Sequence, residues 1–178
     1  GDATSVGDDT TNVYVEAAFW WPDAVAGRSR RYNFSTDAGH RFERGVDPST
    51  TVEHIERITQ LILEICGGEP GPMDDQVLAL PEQKPVTLRV ARAAQVIGMP
   101  VTLAQCEGAL SRLGLPVQTD AAAGTLTVTP PSYRFDLALE EDLIEEVARV
   151  VGFEQLPHTP PLAPVTARIH PETQRGPF

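Results

Sequence analysis

Apolar and polar residues alternate along residues 12–20, NVYVEAAFW, with Val13, Val15 and Ala17 on one side and Tyr14, Glu16 and Ala18 on the other. A period of two predicts a β-strand, and it sets Glu16 in the middle of an otherwise apolar segment. Pro22 suits the first turn of a short helix reaching about Arg31, and Thr36 is placed to cap another. Asp47 and Pro48 are a helix-start pair, after which Val52, Ile55, Ile58, Leu61, Ile62 and Ile65 recur at helical spacing until Gly67-Gly68 ends the run. The pattern predicts a long helix with ordinary core packing.

From Glu69 to Pro85 the chain is rich in Pro, Gly and acidic residues, the signature of a boundary between two units. Beyond it, PVTLRV at 85–90 reads as a strand, ARAAQVIG as a short helix, and TLAQCEGALSRLG as a second helix with Thr102 and Gln105 in capping-box spacing. VQTD and TLTVTP form a hairpin across AAAG, and a last amphipathic helix runs from about Leu139 to Val151. Its inward residues are Leu143, Ile144, Val147, Val150 and Val151, and Gly152 stops it. A strand, helices and a two-stranded wing make a winged-helix-like arrangement, and the chain as a whole predicts an α+β fold. The Pro-rich PHTPPLAP that follows reads as a connector. No internal repeat is present.

Charge sharpens this picture. The 178 residues carry 14 Lys+Arg against 25 Asp+Glu, a formal net charge of −11, which argues against nonspecific adhesion to nucleic acid. Residues 28–44 run the other way: Arg28, Arg30, Arg31, Arg41 and Arg44 face only Asp37 and Glu43. An anionic partner is expected there. No apolar run approaches the roughly 18 residues of a membrane span. A chain opening on Gly1, without a charged-then-apolar leader, is expected to be a cut piece of something longer. Cys66 and Cys106 lack CxxC spacing and read as buried free thiols of a protein in the reducing cytosol.

Three groups of residues carry candidate chemistry. In STDAGHRFERGVD at 35–47, a helix start offers backbone N–H groups, and Thr36, Ala38 and Gly39 leave it accessible. Arg41 and Arg44 then face a phosphate, or an intramolecular acid; the plainer reading is that Arg41, Glu43, Arg44 and Asp47 make salt bridges fixing the loop to the long helix. Glu16, a carboxylate among apolar neighbours, needs either an arginine or a ligand donor, because an ionised acid buried alone costs several kcal/mol. As an acceptor for a ligand hydroxyl it separates ligands sharply. In RFDLALEEDLIEEVARV at 134–150, Asp142, Glu145 and Glu146 share a helical face and Asp136 can bend back toward them. Four hard oxygen donors suit Mg2+, while a solvated acidic face near a helix start needs no metal. His40 lies within the first group; the other histidines show no metal-ligand spacing. No GxGxxG, GxxxxGK[ST] or nucleophile elbow occurs, so nothing here binds ATP by itself.

GRSRRYNFSTDAGHRFERGVDP, ICGGEPGP and PSYRFDLALEEDLIEEVARVVGFEQLP together resemble the beta subunit of bacterial phenylalanyl-tRNA synthetase, in the family's order and over nearly the whole chain. The resemblance implies that residues 1–80 are the C-terminal half of a tRNA-editing domain, 81–157 a small winged-helix-like module, and 158–178 a linker. It implies further that Glu16 recognises the hydroxyl of a mischarged tyrosine, with Thr36 and Ala38 beside the ester, in hydrolysis of Tyr-tRNA(Phe). No side chain of this set is an evident nucleophile, so a positioned water is the expected attacker. Asp136, Asp142, Glu145 and Glu146 match Mg2+ positions shared with an alpha subunit, in an α2β2 enzyme whose alpha subunit uses ATP to charge tRNA(Phe). The fragment alone is expected to be inactive. Two rivals remain, a non-catalytic RNA-binding module and a subunit-interface scaffold.

Overall fold

The computed structural model describes residues 2–158, so all but the first residue of the expected linker at 158–178 lies outside the described residues. Three short helices come first: α1 (Pro22–Val25), α2 (Arg28–Tyr32) and α3 (Asp37–Arg44). The helix expected from Pro22 to Arg31 is broken because Gly27 takes a left-handed conformation, φ 73°. Thr36 caps α3 as its position suggested, its Oγ1 accepting the Gly39 N–H at 3.0 Å. Asp47 accepts the Ser49 N–H at 3.0 Å across a 3-10 turn at Pro48–Thr50, and α4 (Thr51–Cys66) follows until Gly67.

Two expectations fail in this first unit. The alternating segment at 12–20 is not a strand. Period two states which side chains would share a face, but a strand also needs a neighbour for its N–H and C=O groups, and the three strands among the described residues all lie beyond residue 85. Nor is α4 packed into a core. None of its residues is buried, and Ile58, Leu61 and Ile65 are exposed, Ile65 by 80%. What lies against it is an open groove of about 530 Å3, lined in part by Ile55, Thr59, Leu63 and Met73. Helical periodicity identifies the face that would be covered without supplying the cover.

The second unit follows its pattern closely. β1 (Val86–Arg89) runs straight into α5 (Val90–Ile97), then α6 (Leu103–Arg112), the hairpin of β2 (Val117–Asp120) and β3 (Thr125–Val128), and α7 (Glu140–Val151). The three strands form an antiparallel sheet in the order β1-β3-β2, with Leu88 opposite Leu126 and Val86 opposite Val128. These four residues point to the same face and are buried, whereas Thr87 and Arg89 point away. The capping box of α6 is complete: Thr102 Oγ1 accepts the Gln105 N–H at 3.2 Å and Gln105 Oε1 accepts the Thr102 N–H at 2.8 Å. Leu143, Ile144 and Val147 of α7 are buried, with Val150 and Val151 packed at the edge of the core. Among the described residues every buried hydrophobic side chain lies between Val86 and Ala148. Helices and a small antiparallel sheet make the fold α+β.

Both cysteines are free, but only Cys106 is buried, and burial pushes its thiol pKa up. Cys66, expected to be buried, is exposed because the end of α4 is uncovered.

The loop before α7 joins the units. The Phe135 ring stacks on Phe19 at 6.2 Å between centroids, and Ser132 Oγ lies 3.1 Å from Ser49 Oγ. Phe135 also sits over Gly45, φ 98°, where an added Cβ would lie 2.4 Å from a ring carbon. Gly45→Ala therefore meets both a disfavoured backbone conformation and a steric clash, and is expected to weaken this seating by roughly 2–4 kcal/mol. Trp21 packs edge-on against Phe19 at 5.7 Å, so the displaced ring should shift tryptophan emission to longer wavelength. An unchanged spectrum would count against the seating.

Candidate functional site

The α3 region is built on its cap. Thr36 and Ala38 lie at the helix start and are exposed, with Gly39 beside Ser29, where an added Cβ would sit 3.0 Å from the Ser29 hydroxyl. Glu43, at the other end, accepts the Gly27 N–H at 3.0 Å and so fixes α3 to the turn between α1 and α2. Arg44 contacts His40 Nδ1 at 3.0 Å and the His40 carbonyl at 3.3 Å within its own helix. Arg28 reaches the Ala24 carbonyl at 3.1 Å, and Arg31 lies over the Tyr32 ring.

The salt bridges of the plainer reading do not form. Among the described residues, ion pairs involve Arg89, Arg92, Arg134 and Arg149, and none involves an arginine of 28–44. Arg28, Arg30, Arg31, Arg41 and Arg44 are all exposed and without a carboxylate partner among those residues. The local excess of positive charge read from the sequence, on α2 and in the last turn of α3, thus has no ion-pair partner among the described residues, an arrangement that favours anions.

Glu16 corrects the picture of an acid in an apolar strand. It is exposed on an extended, unpaired segment, and no carboxylate–arginine pair involves it among the described residues. The groove along α4, and a smaller cleft of about 40 Å3 lined in part by Ala17, Val52 and Asp75, contain none of Glu16, Thr36 and Ala38. Neither cavity brings the three residues together.

The acidic face of α7 is equally specific in its contacts. Asp142, in the first turn, turns back to accept the N–H groups of Ala138 and Leu139 at 2.8 and 2.7 Å. Asp136 receives a two-pronged bond from Arg134, Nε to Oδ1 at 2.8 Å and Nη2 to Oδ2 at 2.7 Å. The same Arg134 Nη2 reaches Glu146 at 2.6 Å, while Arg149 takes Glu145 at 2.5 Å and approaches Glu146 at 3.7 Å. The bond from Arg134 holds Asp136 below the usual carboxylate range, and the Asp136 carboxylate in turn pushes the Arg134 pKa up. Farther along, Arg89 binds Glu140 at 2.7 Å and Arg92 binds Glu141, tying the start of α7 to β1 and α5.

Such a donor set does not fit Mg2+ as it stands. Hard-cation binding needs oxygens free to converge at about 2.1 Å, whereas Asp136, Glu145 and Glu146 each bond a guanidinium and Asp142 turns an oxygen to two backbone N–H groups. Among the described residues, no three His, Cys, Asp or Glu side chains gather so as to hold a metal. Sequence reading found the acids but missed Arg134, whose only signal is its place two residues before Asp136, on the far side of Phe135.

Comparison with known proteins bears on both regions. Residues 1–67 match the family model described as the B3/4 domain, and residues 86–153 that of the tRNA synthetase B5 domain. The chain is 59% identical to the phenylalanine–tRNA ligase beta subunit of Burkholderia lata over 99% of its own length and 22% of that protein's. It is likewise 59% identical to the beta subunit of Ralstonia nicotianae, over 98% of this chain and 21% of that one. Against the subunit of Bordetella pertussis the identity is 57%, over 99% of this chain and 22% of the relative. The chain spans about a fifth of the length of the curated relatives it matches. With both domains present in order and this level of identity along the chain, it belongs to the family of phenylalanine–tRNA ligase beta subunits.

Proposed function

We propose that this chain contributes to hydrolytic editing of Tyr-tRNA(Phe) within a phenylalanine–tRNA ligase that pairs a beta subunit with an alpha subunit as an α2β2 enzyme. The observation that carries the reading is the set of five exposed arginines without carboxylate partners among the described residues, three on α2 and two in the last turn of α3. An aminoacylated tRNA end brings phosphates and a small ester together, the two chemistries this region is suited to meet. Residues 1–80 then act as the C-terminal half of the editing domain. Residues 81–157 form a winged-helix-like module, a description supported by the β1-β3-β2 sheet with two helices between its first and second strands.

In this reading Glu16 accepts the tyrosine hydroxyl, and its exposure leaves the carboxylate free for a ligand. Thr36 holds the first turn of α3 in place, and Ala38 leaves room for the ester. The N–H groups of Asp37 and Ala38, at the positive end of the helix dipole, favour the charge that develops on the ester oxygen when water attacks. The remaining pocket wall falls to other parts of the complete subunit. ATP and Mg2+ serve phenylalanylation by the complete enzyme in the cytoplasm, and the isolated chain supplies neither reaction.

Arg41→Ala/Arg44→Ala in the full-length protein tests the reading. Each phosphate contact on a single strand adds about 0.7 to the slope of log affinity against log salt. The double variant is therefore expected to bind Tyr-tRNA(Phe) more weakly, with a slope smaller by about 1.4, and to deacylate it more slowly. Unchanged affinity and slope would refute the assignment. Weakened binding by the variant, with a wild-type protein that never deacylates Tyr-tRNA(Phe), would favour the non-catalytic RNA-binding module.

A further inference from the structure

Glu146 is the buried charged residue among the described residues; Arg134 bonds it at 2.6 Å, while Arg149 approaches its other oxygen only to 3.7 Å. The Arg134 side chain is itself 19% exposed and lies between two carboxylates that belong to different elements, Asp136 in the loop and Glu146 on α7. Its fork meets both oxygens of Asp136, and the same Nη2 reaches Glu146, so one guanidinium satisfies two acids in the planar geometry it prefers. The other two acids have partners of their own: Asp142 faces backbone N–H groups and Glu145 faces Arg149.

We infer that the cation held by this acidic face is Arg134 itself, and that the guanidinium and a divalent ion exclude each other between Asp136 and Glu146. Two positive centres cannot occupy that interval. In a partly buried setting their repulsion is several times its value in water, and an ion would also need the oxygens Arg134 now holds. Phe135 strengthens the exclusion. It lies between Arg134 and Asp136 in sequence, and its ring is seated on Phe19 and over Gly45. That seating fixes the backbone from which the Arg134 and Asp136 side chains project, and so holds their pair in register with Glu146.

The test is Mn2+ titration of the full-length protein without ATP, with free Mn2+ followed by electron paramagnetic resonance. Arg134→Gln is expected to tighten Mn2+ binding at this face at least tenfold over wild type, and Arg134→Lys, which keeps the charge but loses the fork, to give a smaller gain. Adding Glu146→Gln to Arg134→Gln should abolish the gain. Equal Mn2+ affinity in wild type and Arg134→Gln would overturn the inference, as would a gain that survives Glu146→Gln. Should Arg134→Gln fail to fold, Arg134→Lys carries the same decision: a gain of a few fold supports competition and none refutes it.

Discussion

Glu16→Ala in the full-length protein is expected to slow hydrolysis of Tyr-tRNA(Phe) by about 10- to 100-fold, with no loss of folding stability. The magnitude follows from the bond at stake: a hydrogen bond to a charged acceptor contributes about 1.5–3 kcal/mol, and about 1.4 kcal/mol corresponds to one decade in rate. The two halves of the expectation separate recognition from folding. Glu16 is exposed and has no arginine partner among the described residues, so its removal leaves no buried cation behind and the melting temperature should not move. Glu16→Gln keeps an acceptor while losing the charge, and should fall between the two. The measurement is deacylation of Tyr-tRNA(Phe) in parallel with Phe-tRNA(Phe). An alanine variant whose ratio of the two rates matches wild type would remove Glu16 from the pocket.

The sequence made the helix ends legible because caps act within three or four residues. Thr36 and the Thr102–Gln105 box start helices where their spacing placed them, Asp47 caps a 3-10 turn that leads into α4 rather than α4 itself, and Gly67 and Gly152 end helices. The hairpin of β2 and β3 was legible for a related reason, since its strands are joined by a short turn and pattern and pairing agree; β1 finds β3 only across the helices between them, Val86 opposite Val128. Residues 12–20 show what happens when they do not, since alternation without a neighbouring strand leaves extended chain. The same gap explains the site. The acids of α7 could be counted from the sequence, but the partner of Glu146 is twelve residues away and that of Glu140 fifty-one, separations no local spacing rule reaches. The seating of Phe135 on Gly45 joins the two units and left no mark in either pattern.

Leu143→Ala is expected to destabilise the second unit by about 3–4 kcal/mol, whereas Leu61→Ala should cost the protein about 1 kcal/mol or less. Both remove the same three carbons from the apolar face of a helix, and sequence periodicity treats them alike. Their surroundings differ: Leu143 is fully buried in α7, against the sheet and α6, while Leu61 is 36% exposed on α4. Truncation inside a packed core forfeits transfer free energy and leaves a cavity; on an open face water fills the space and the second penalty disappears. A loss of 3–4 kcal/mol is large beside the roughly 5–15 kcal/mol that holds a typical domain folded, so the midpoint of urea unfolding should fall steeply for Leu143→Ala and barely for Leu61→Ala. Equal shifts would mean that α4 is covered in the complete subunit as firmly as α7 is here, which would return the six apolar positions of α4 to the core role their spacing predicts.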